Sequence, residues 1–70
     1  MVADPIIETL REVRAERGLT RSQVAALCGV SEAALRSYEL GNRLPPLPAI
    51  RRWAAAFGYQ LTLAPAGEVG

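Results

Sequence analysis

The sequence of 70 residues contains no histidine and only one cysteine, Cys28. A lone cysteine cannot form an internal disulfide, and the chain shows neither the ligand spacing of a metal site nor a glycine-rich phosphate loop. We therefore expect no catalytic residues, no metal, no cofactor and no enzymatic activity. We interpret Cys28 as a small buried apolar side chain rather than as a redox switch.

The sequence also lacks an apolar run long enough to span a bilayer. Its N-terminus has neither the basic start nor the apolar stretch of a signal peptide. These absences predict an intracellular, cytoplasmic protein without a membrane partner. Half of the residues are hydrophobic, which at this length supplies the core of one small helical domain.

Lysine is absent as well, so all eight basic residues are arginine, and the formal net charge is only +1. A total this small argues weakly for a nucleic-acid partner, but the distribution of charge matters more than the sum. Carboxylates concentrate in the first predicted helix, at Asp4, Glu8, Glu12 and Glu16. Arg21, Arg36 and Arg43 lie in or beside the central segment, so one face of the domain is expected to be basic.

The central segment, residues 19–45, predicts two short helices joined at Gly29. Thr20 is placed to cap the first helix, with Gln23 completing a capping box. Its buried side is predicted to be Val24, Leu27 and Cys28, with Ala25 small enough for close approach of another helix. Gly29 supplies the left-handed conformation that ends a helix without a clash.

Ser31 is placed to cap the second central helix. Inward positions follow at three- and four-residue spacing, at Ala34, Leu35 and Tyr38. This spacing leaves four residues on the outward face of the helix: Glu32, Ala33, Arg36 and Ser37.

Two further helices flank this pair. Asp4 and Pro5 predict the start of the first helix, which runs to about Arg17 and ends before Gly18. Its inward residues are predicted to be Ile6, Leu10 and Val13. A fourth helix is predicted from about Leu47 to Phe57, with an inward stripe of Ile50, Trp53, Ala54 and Phe57.

After Gly58 the pattern alternates with a period of two. The apolar residues Tyr59, Leu61 and Leu63 alternate with Gln60, Thr62 and Ala64, which predicts a short strand over residues 59–64. Residues 65–70 are expected to form a disordered tail.

In these features the chain resembles the phage-repressor and Cro-like helix-turn-helix family, also called the xenobiotic-response-element family. The resemblance covers nearly everything from Ile6 to Gly58. Its motifs are, in order, I-x-x-x-L-R-x-x-R, R-G-L-T, V-A-x-x-x-G-V-S, Y-E-x-G-x-R-x-P and L-x-x-I-x-x-W-A-x-A-F-G. It implies an all-α, lambda-repressor-like domain of four helices over residues 1–58 that binds double-stranded DNA, followed here by the strand.

The resemblance also implies which residues meet DNA. The helix that begins at Ser31 would enter the major groove, with base contacts from Glu32, Ala33 and Ser37 and with Arg36 reaching a base or a phosphate. Phosphate contacts are implied for Thr20, Arg21, Asn42 and Arg43, helped by the backbone amides at the start of the helix that Thr20 caps. Arg51 and Arg52 are interpreted as solvated surface charges.

Two residues match an ion pair of the family's best-known members, namely Arg14 in the first helix and Glu39 after the recognition helix. The strand departs from those members, which continue into a fifth helix. It is more similar to certain antitoxins of toxin-antitoxin pairs and to small phage or plasmid regulators.

From this resemblance we expect a sequence-specific transcriptional regulator, a repressor that acts as a homodimer on a palindromic operator. Self-pairing of the strand is expected to form the dimer, through Tyr59, Gln60, Leu61, Thr62 and Leu63. The alternatives are a strand folded back on its own helices, a toxin partner that completes the sheet, and dimerisation through the loop and fourth helix. An antitoxin is therefore the alternative function, and a protein-binding adaptor is a further one.

Overall fold

The computed structural model describes residues 4–65, which form four α-helices. These are α1 (Pro5–Glu16), α2 (Arg21–Cys28), α3 (Glu32–Leu40) and α4 (Leu47–Ala56). The predicted all-α architecture of four helices is confirmed. None of these four helices has the length and apolar character needed to cross a membrane.

Side-chain caps start the first three helices, as the sequence predicts. The Asp4 carboxylate accepts a backbone N–H in the first turn of α1. The Thr20 hydroxyl accepts from the Gln23 backbone N–H at 3.1 Å, and Gln23 Oε1 accepts from the Thr20 N–H at 2.8 Å. Ser31 Oγ accepts from the Ala34 N–H at 3.0 Å. A cap of this kind stabilises a helix by about 1 kcal/mol, so the helix starts are encoded locally.

The turn between α2 and α3 is as short as predicted. Gly29 adopts φ 72°, in the left-handed region, and Ser31 already caps the next helix. Glycine enters this conformation without the steric cost that a Cβ adds. Gly29 therefore sets the direction in which α3 leaves α2.

The core lies where the four helices meet. Trp53 of α4 is its largest fully buried side chain, and it is joined by Leu35, Val24 and Cys28. Cys28 is buried as predicted, and burial raises the pKa of its thiol while the charge of Arg52 opposes the rise. The apolar side chains of Ile7, Leu10, Val13, Ala25, Tyr38, Ala49, Ala54 and Phe57 are also buried.

Two predicted core residues lie outside the core. Leu27 is 59% exposed. Successive residues of a helix are rotated by about 100°, so the buried residues Val24, Ala25 and Cys28 cover an arc of about 100° on α2. Leu27 lies outside this arc and therefore faces solvent. Ile6 is 47% exposed and Ile7 is buried instead. Ile6 occupies the first turn of α1, where the described part of the chain leaves its surface uncovered.

The predicted strand is wrong for the single chain, since residues 59–65 have no regular secondary structure. A strand needs a neighbouring extended segment for its backbone hydrogen bonds, and residues 4–65 provide none. Leu61 instead packs against the core, which is the alternative of a segment folded back on its own helices. Leu63 is 99% exposed. Of the predicted tail, residues 66–70 lie outside the described range.

The start of this C-terminal segment is held by an arginine of the first helix region. The Arg17 guanidinium carbon lies 5.3 Å from the centroid of the Phe57 ring and 6.0 Å from that of Tyr59. Contacts at these distances are attractive cation–π interactions. Arg17 therefore joins the end of α1 to the residues on both sides of Gly58.

Candidate nucleic-acid interface

The outward face of α3 is available to a ligand. Glu32, Ala33 and Arg36 are exposed and Ser37 is partly exposed. These residues occupy two successive turns on the side away from Leu35, which is fully buried. The structure thus places the four predicted base-contact residues together on one surface of a helix whose opposite side is anchored in the core.

The loop after α3 carries a second pair of predicted contact residues, Asn42 and Arg43, which are both exposed. The Asn42 N–H donates to the Ser37 carbonyl at 2.9 Å, which closes the helix end. The Arg43 guanidinium carbon lies 5.4 Å from the centroid of the Tyr38 ring. Because Tyr38 belongs to the core, this stacking holds the Arg43 charge beside the C-terminal end of α3.

The N-terminus of α2 carries the other predicted phosphate contacts. The Thr20 hydroxyl is engaged in its cap, and the first-turn amides of α2 that follow it are the expected donors to an anion. The Arg21 side chain is 33% exposed, and its Nε donates to Glu39 Oε1 at 2.9 Å. Its two terminal nitrogens have no hydrogen-bond partner within the part of the chain that the structure describes.

Behind Arg21, the structure brings Arg14 and Glu39 together. Arg14 Nε donates to Glu39 Oε2 at 2.7 Å and Arg14 Nη2 to Oε1 at 3.1 Å. Arg14 Nη1 donates to the Leu19 carbonyl at 2.9 Å. The Glu39 side chain is 0% exposed. Its carboxylate, on α3, thus holds Arg14 of α1 and Arg21 of α2, and Arg14 in turn holds the loop before α2 through Leu19.

The contact between Arg21 and Glu39 is absent from the sequence predictions. The two residues lie 18 positions apart, and neither the helix pattern nor a capping motif relates them. The only available signal is that a glutamate inside a helix needs a cation when it is buried. The sequence does not indicate that two arginines share the Glu39 carboxylate, because this depends on how the helices pack.

Arg52 of α4 is a second residue whose role the sequence analysis missed. Arg52 is exposed, as expected of a solvated surface charge, but its Nε also donates to the Cys28 carbonyl at 2.6 Å. A carbonyl in the last turn of a helix lacks an intrahelical partner, and Arg52 supplies one immediately before the turn at Gly29. Arg52 is therefore a structural support of the junction between α2 and α3.

The described residues contain no group of three or more His, Cys, Asp or Glu side chains that could hold a metal ion. The charged groups at the surface described above are instead the three arginines Arg21, Arg36 and Arg43 and one carboxylate, Glu32. Positive charge is therefore in excess on this surface, which complements the sugar-phosphate backbone of DNA.

A separate apolar surface lies at the N-terminal end of α1, next to α4 and the C-terminal segment. Two grooves of about 280 and 350 Å³ meet there, and both are lined by Ile6 and Leu61. The larger groove is also lined by Leu47, Arg51 and Leu63. We call the exposed side chains of Ile6, Leu47 and Leu63, together with the part-buried Leu61, the apolar patch.

Comparison with known proteins agrees with this arrangement. A family described as a helix-turn-helix domain has a sequence model that matches residues 8–66. The chain is also 38% identical over 68 residues to the HTH-type transcriptional regulator RghRB of Bacillus subtilis (strain 168). That match covers 93% of this chain and 49% of the relative, so the chain spans about half the length of that protein.

Proposed function

Since the chain belongs to the helix-turn-helix domain family, we propose that it is a sequence-specific transcriptional regulator that places α3 in the major groove of double-stranded DNA. The observation that carries this proposal is the set of Glu32, Ala33, Arg36 and Ser37 on the solvent side of a short helix with a buried opposite side. A helix held in this way enters a major groove as a rigid body.

Each residue of the α3 face has a defined chemical role in this proposal. Arg36 donates to guanine O6 and N7 or to a phosphate, and Ser37 donates to or accepts from several bases. Ala33 contacts a thymine methyl group. Glu32 accepts from cytosine N4 and repels bases that present only acceptors, so it contributes to specificity by rejection as well as by attraction.

Arginines on the two sides of this face provide the phosphate contacts. Arg21 stands at the start of α2 and Arg43 follows α3, and each is held in place by a contact within the protein. The Asn42 side chain and the first-turn amides of α2 that follow Thr20 add neutral donors. These contacts fix the register of the protein on DNA but carry no sequence information themselves.

We further propose that the regulator is a repressor that acts as a homodimer on a palindromic operator, as in the phage-repressor and Cro-like proteins that it resembles. One recognition helix touches only a few base pairs, so two copies about one helical turn apart are needed for tight and specific binding. A dimer bound across a promoter blocks access to it without needing a further activity.

The segment Tyr59, Gln60, Leu61, Thr62 and Leu63 is the proposed dimerisation element. Its support is the apolar patch, in which Leu63 is fully exposed and Ile6 and Leu47 are half-exposed. Pairing of the segment with its copy would give its backbone groups the partner that they lack in one chain, and would cover these side chains.

An antitoxin is the second candidate, and the same apolar patch favours it. Under that proposal a toxin, rather than a second copy, covers Leu63 and its neighbours, and the complex still binds DNA through α3. Co-expression with the product of an adjacent small gene tests it. A complex that is lost in Leu63→Ser but retained in Ala33→Val would favour the antitoxin.

Selection of sites from random duplex DNA tests the main proposal. We expect an enriched half-site repeated with two-fold symmetry, with centres about 10 bp or a multiple of this apart. Arg11→Ala is a matched control, since it removes one exposed arginine that lies outside both the proposed DNA interface and the apolar patch. A failure to enrich any sequence, at salt low enough for non-specific binding, would contradict the proposed function.

A further inference from the structure

Glu39 holds two arginines in different ways. Arg14 uses Nε and Nη2 and contacts both carboxylate oxygens, at 2.7 and 3.1 Å. Arg21 uses only Nε and contacts one oxygen, at 2.9 Å. The two-point contact with Arg14 is the fork geometry in which a guanidinium and a carboxylate compensate each other best.

The charges of this cluster do not cancel, because two guanidinium groups share one carboxylate. Arg14 is 16% exposed and is further fixed by the Leu19 carbonyl, so it is the inner cation. Arg21 is the outer cation, 33% exposed. The single positive charge in excess therefore lies at the start of α2, the position assigned to a phosphate.

Because Arg21 is bound to Glu39 through Nε, its terminal nitrogens remain available as donors to a ligand. A guanidinium presents five N–H donors in one rigid plane, and holding Nε on Glu39 fixes the plane of the group. The two terminal nitrogens then carry four donors that have no partner among residues 4–65. A long, flexible side chain is thereby ordered before a ligand arrives, which removes an ordering cost from binding.

We infer that Glu39 is a positioning residue for DNA binding: its buried carboxylate holds Arg21 through Nε so that the terminal nitrogens of Arg21 donate to a DNA phosphate. Arg14 compensates the charge of Glu39, so Arg21 is oriented without being neutralised. This inference rests on the proposed function and adds to it a role for a residue that does not itself touch DNA.

A double-mutant cycle tests the inference through DNA affinity measured over a range of salt concentrations. Glu39→Gln removes a negative charge, which by itself favours DNA binding, and releases Arg21, which disfavours it. Only the second effect requires Arg21. Glu39→Gln changes the affinity for DNA by one factor in the parent and by another in the Arg21→Ala background. We expect the change in the parent to be less favourable by about 3- to 10-fold. Equal effects in the two backgrounds would overturn the inference.

The same cycle separates the inference from the proposed function. Arg21→Ala should reduce the salt dependence by about one counterion. If Arg21→Ala leaves the salt dependence unchanged, Arg21 does not contact a phosphate. If Arg21→Ala reduces the salt dependence by about one counterion but Glu39→Gln has the same effect on affinity in both backgrounds, only the positioning role of Glu39 is overturned. Glu16→Gln, which removes an exposed carboxylate of α1, is the control for charge.

A measurement on the unmodified protein covers the case in which Glu39→Gln does not fold. Exchange of the Arg21 Nε–H with water is followed by ¹H–¹⁵N NMR in the free protein and in its complex with operator DNA. We expect slow exchange in both states, because Glu39 keeps Nε while the terminal nitrogens bind phosphate. Fast exchange in the complex would show that Arg21 leaves Glu39 to bind DNA, and would overturn the inference.

Discussion

Arg52 Nε in α4 donates to the carbonyl oxygen of Cys28 at the end of α2, at a distance of 2.6 Å. This hydrogen bond joins α4 to the last turn of α2, directly before the turn at Gly29 that sets the direction of α3. A surface arginine thus supports the geometry of the proposed recognition helix without belonging to its surface.

Replacing Arg52 should cost stability. Arg52→Ala removes the partner of a helix-terminal carbonyl, so the free energy of unfolding should fall by about 1.5 to 3 kcal/mol, the range for hydrogen bonds to charged groups. Because the site is exposed in part, the lower end is expected. Urea denaturation measures the change, and Arg51→Ala on the same helix is the control. Equal stability of the two variants would contradict the structural role of Arg52.

The buried pair of Arg14 and Glu39 predicts a larger loss. Arg14→Met leaves a fully buried carboxylate with Arg21 as its remaining cation, so we expect a loss of about 3 kcal/mol, the lower end of the range for breaking a buried ion pair. Thermal unfolding followed by circular dichroism measures it, with exposed Arg11→Met as the control. If Arg14→Met melts together with the Arg11 control, the pair contributes little to stability.

The proposed phosphate contacts predict a loss of affinity that does not depend on the DNA sequence. Arg43→Ala should weaken binding to operator and non-operator DNA by a similar factor, and should lower the slope of log K against log salt by about one counterion. Fluorescence anisotropy titrations over several salt concentrations measure both quantities, with the exposed Arg11→Ala as the control. A change in the preferred base would contradict this role for Arg43.

The α3 face predicts the opposite behaviour. Ala33→Val and Ser37→Ala alter side chains assigned to base edges, so they should change the selected half-site, with about 1 to 3 kcal/mol at stake for each affected base pair. Both positions are at least partly exposed, so stability should change little. Selection profiles identical to those of the parent in both variants would exclude the proposed register of α3.

The C-terminal segment predicts the oligomeric state. Leu63→Ser changes a side chain that is 99% exposed in one chain, so it should leave unfolding of the monomer unaffected while favouring dissociation of the proposed dimer. Deletion after Gly58 should give a monomer with a large loss of operator affinity. Analytical ultracentrifugation measures both, with the exposed Leu44→Ser as the control. A truncated chain that stays dimeric and binds normally would show that the interface lies elsewhere.

Local chemistry in the sequence determined the four helices and three of their starts. Asp4, Thr20 and Ser31 each precede a helix that they cap, and Gly29 supplies the left-handed residue of the turn. These interactions join residues two or three positions apart, so they are encoded in short segments and can be recognised there. The outward face of α3 followed in the same way, from helical spacing around the buried Leu35.

Only the tertiary structure decided the interactions between distant segments. The sharing of Glu39 by Arg14 and Arg21 and the bond from Arg52 to Cys28 join residues 18 to 25 positions apart, and they depend on the angles at which the helices cross. The exposure of Ile6 and Leu27 depends on which neighbours cover each helix end. Residues 59–64 have the alternating pattern of a strand, but a strand requires a partner, and the pattern alone does not supply one.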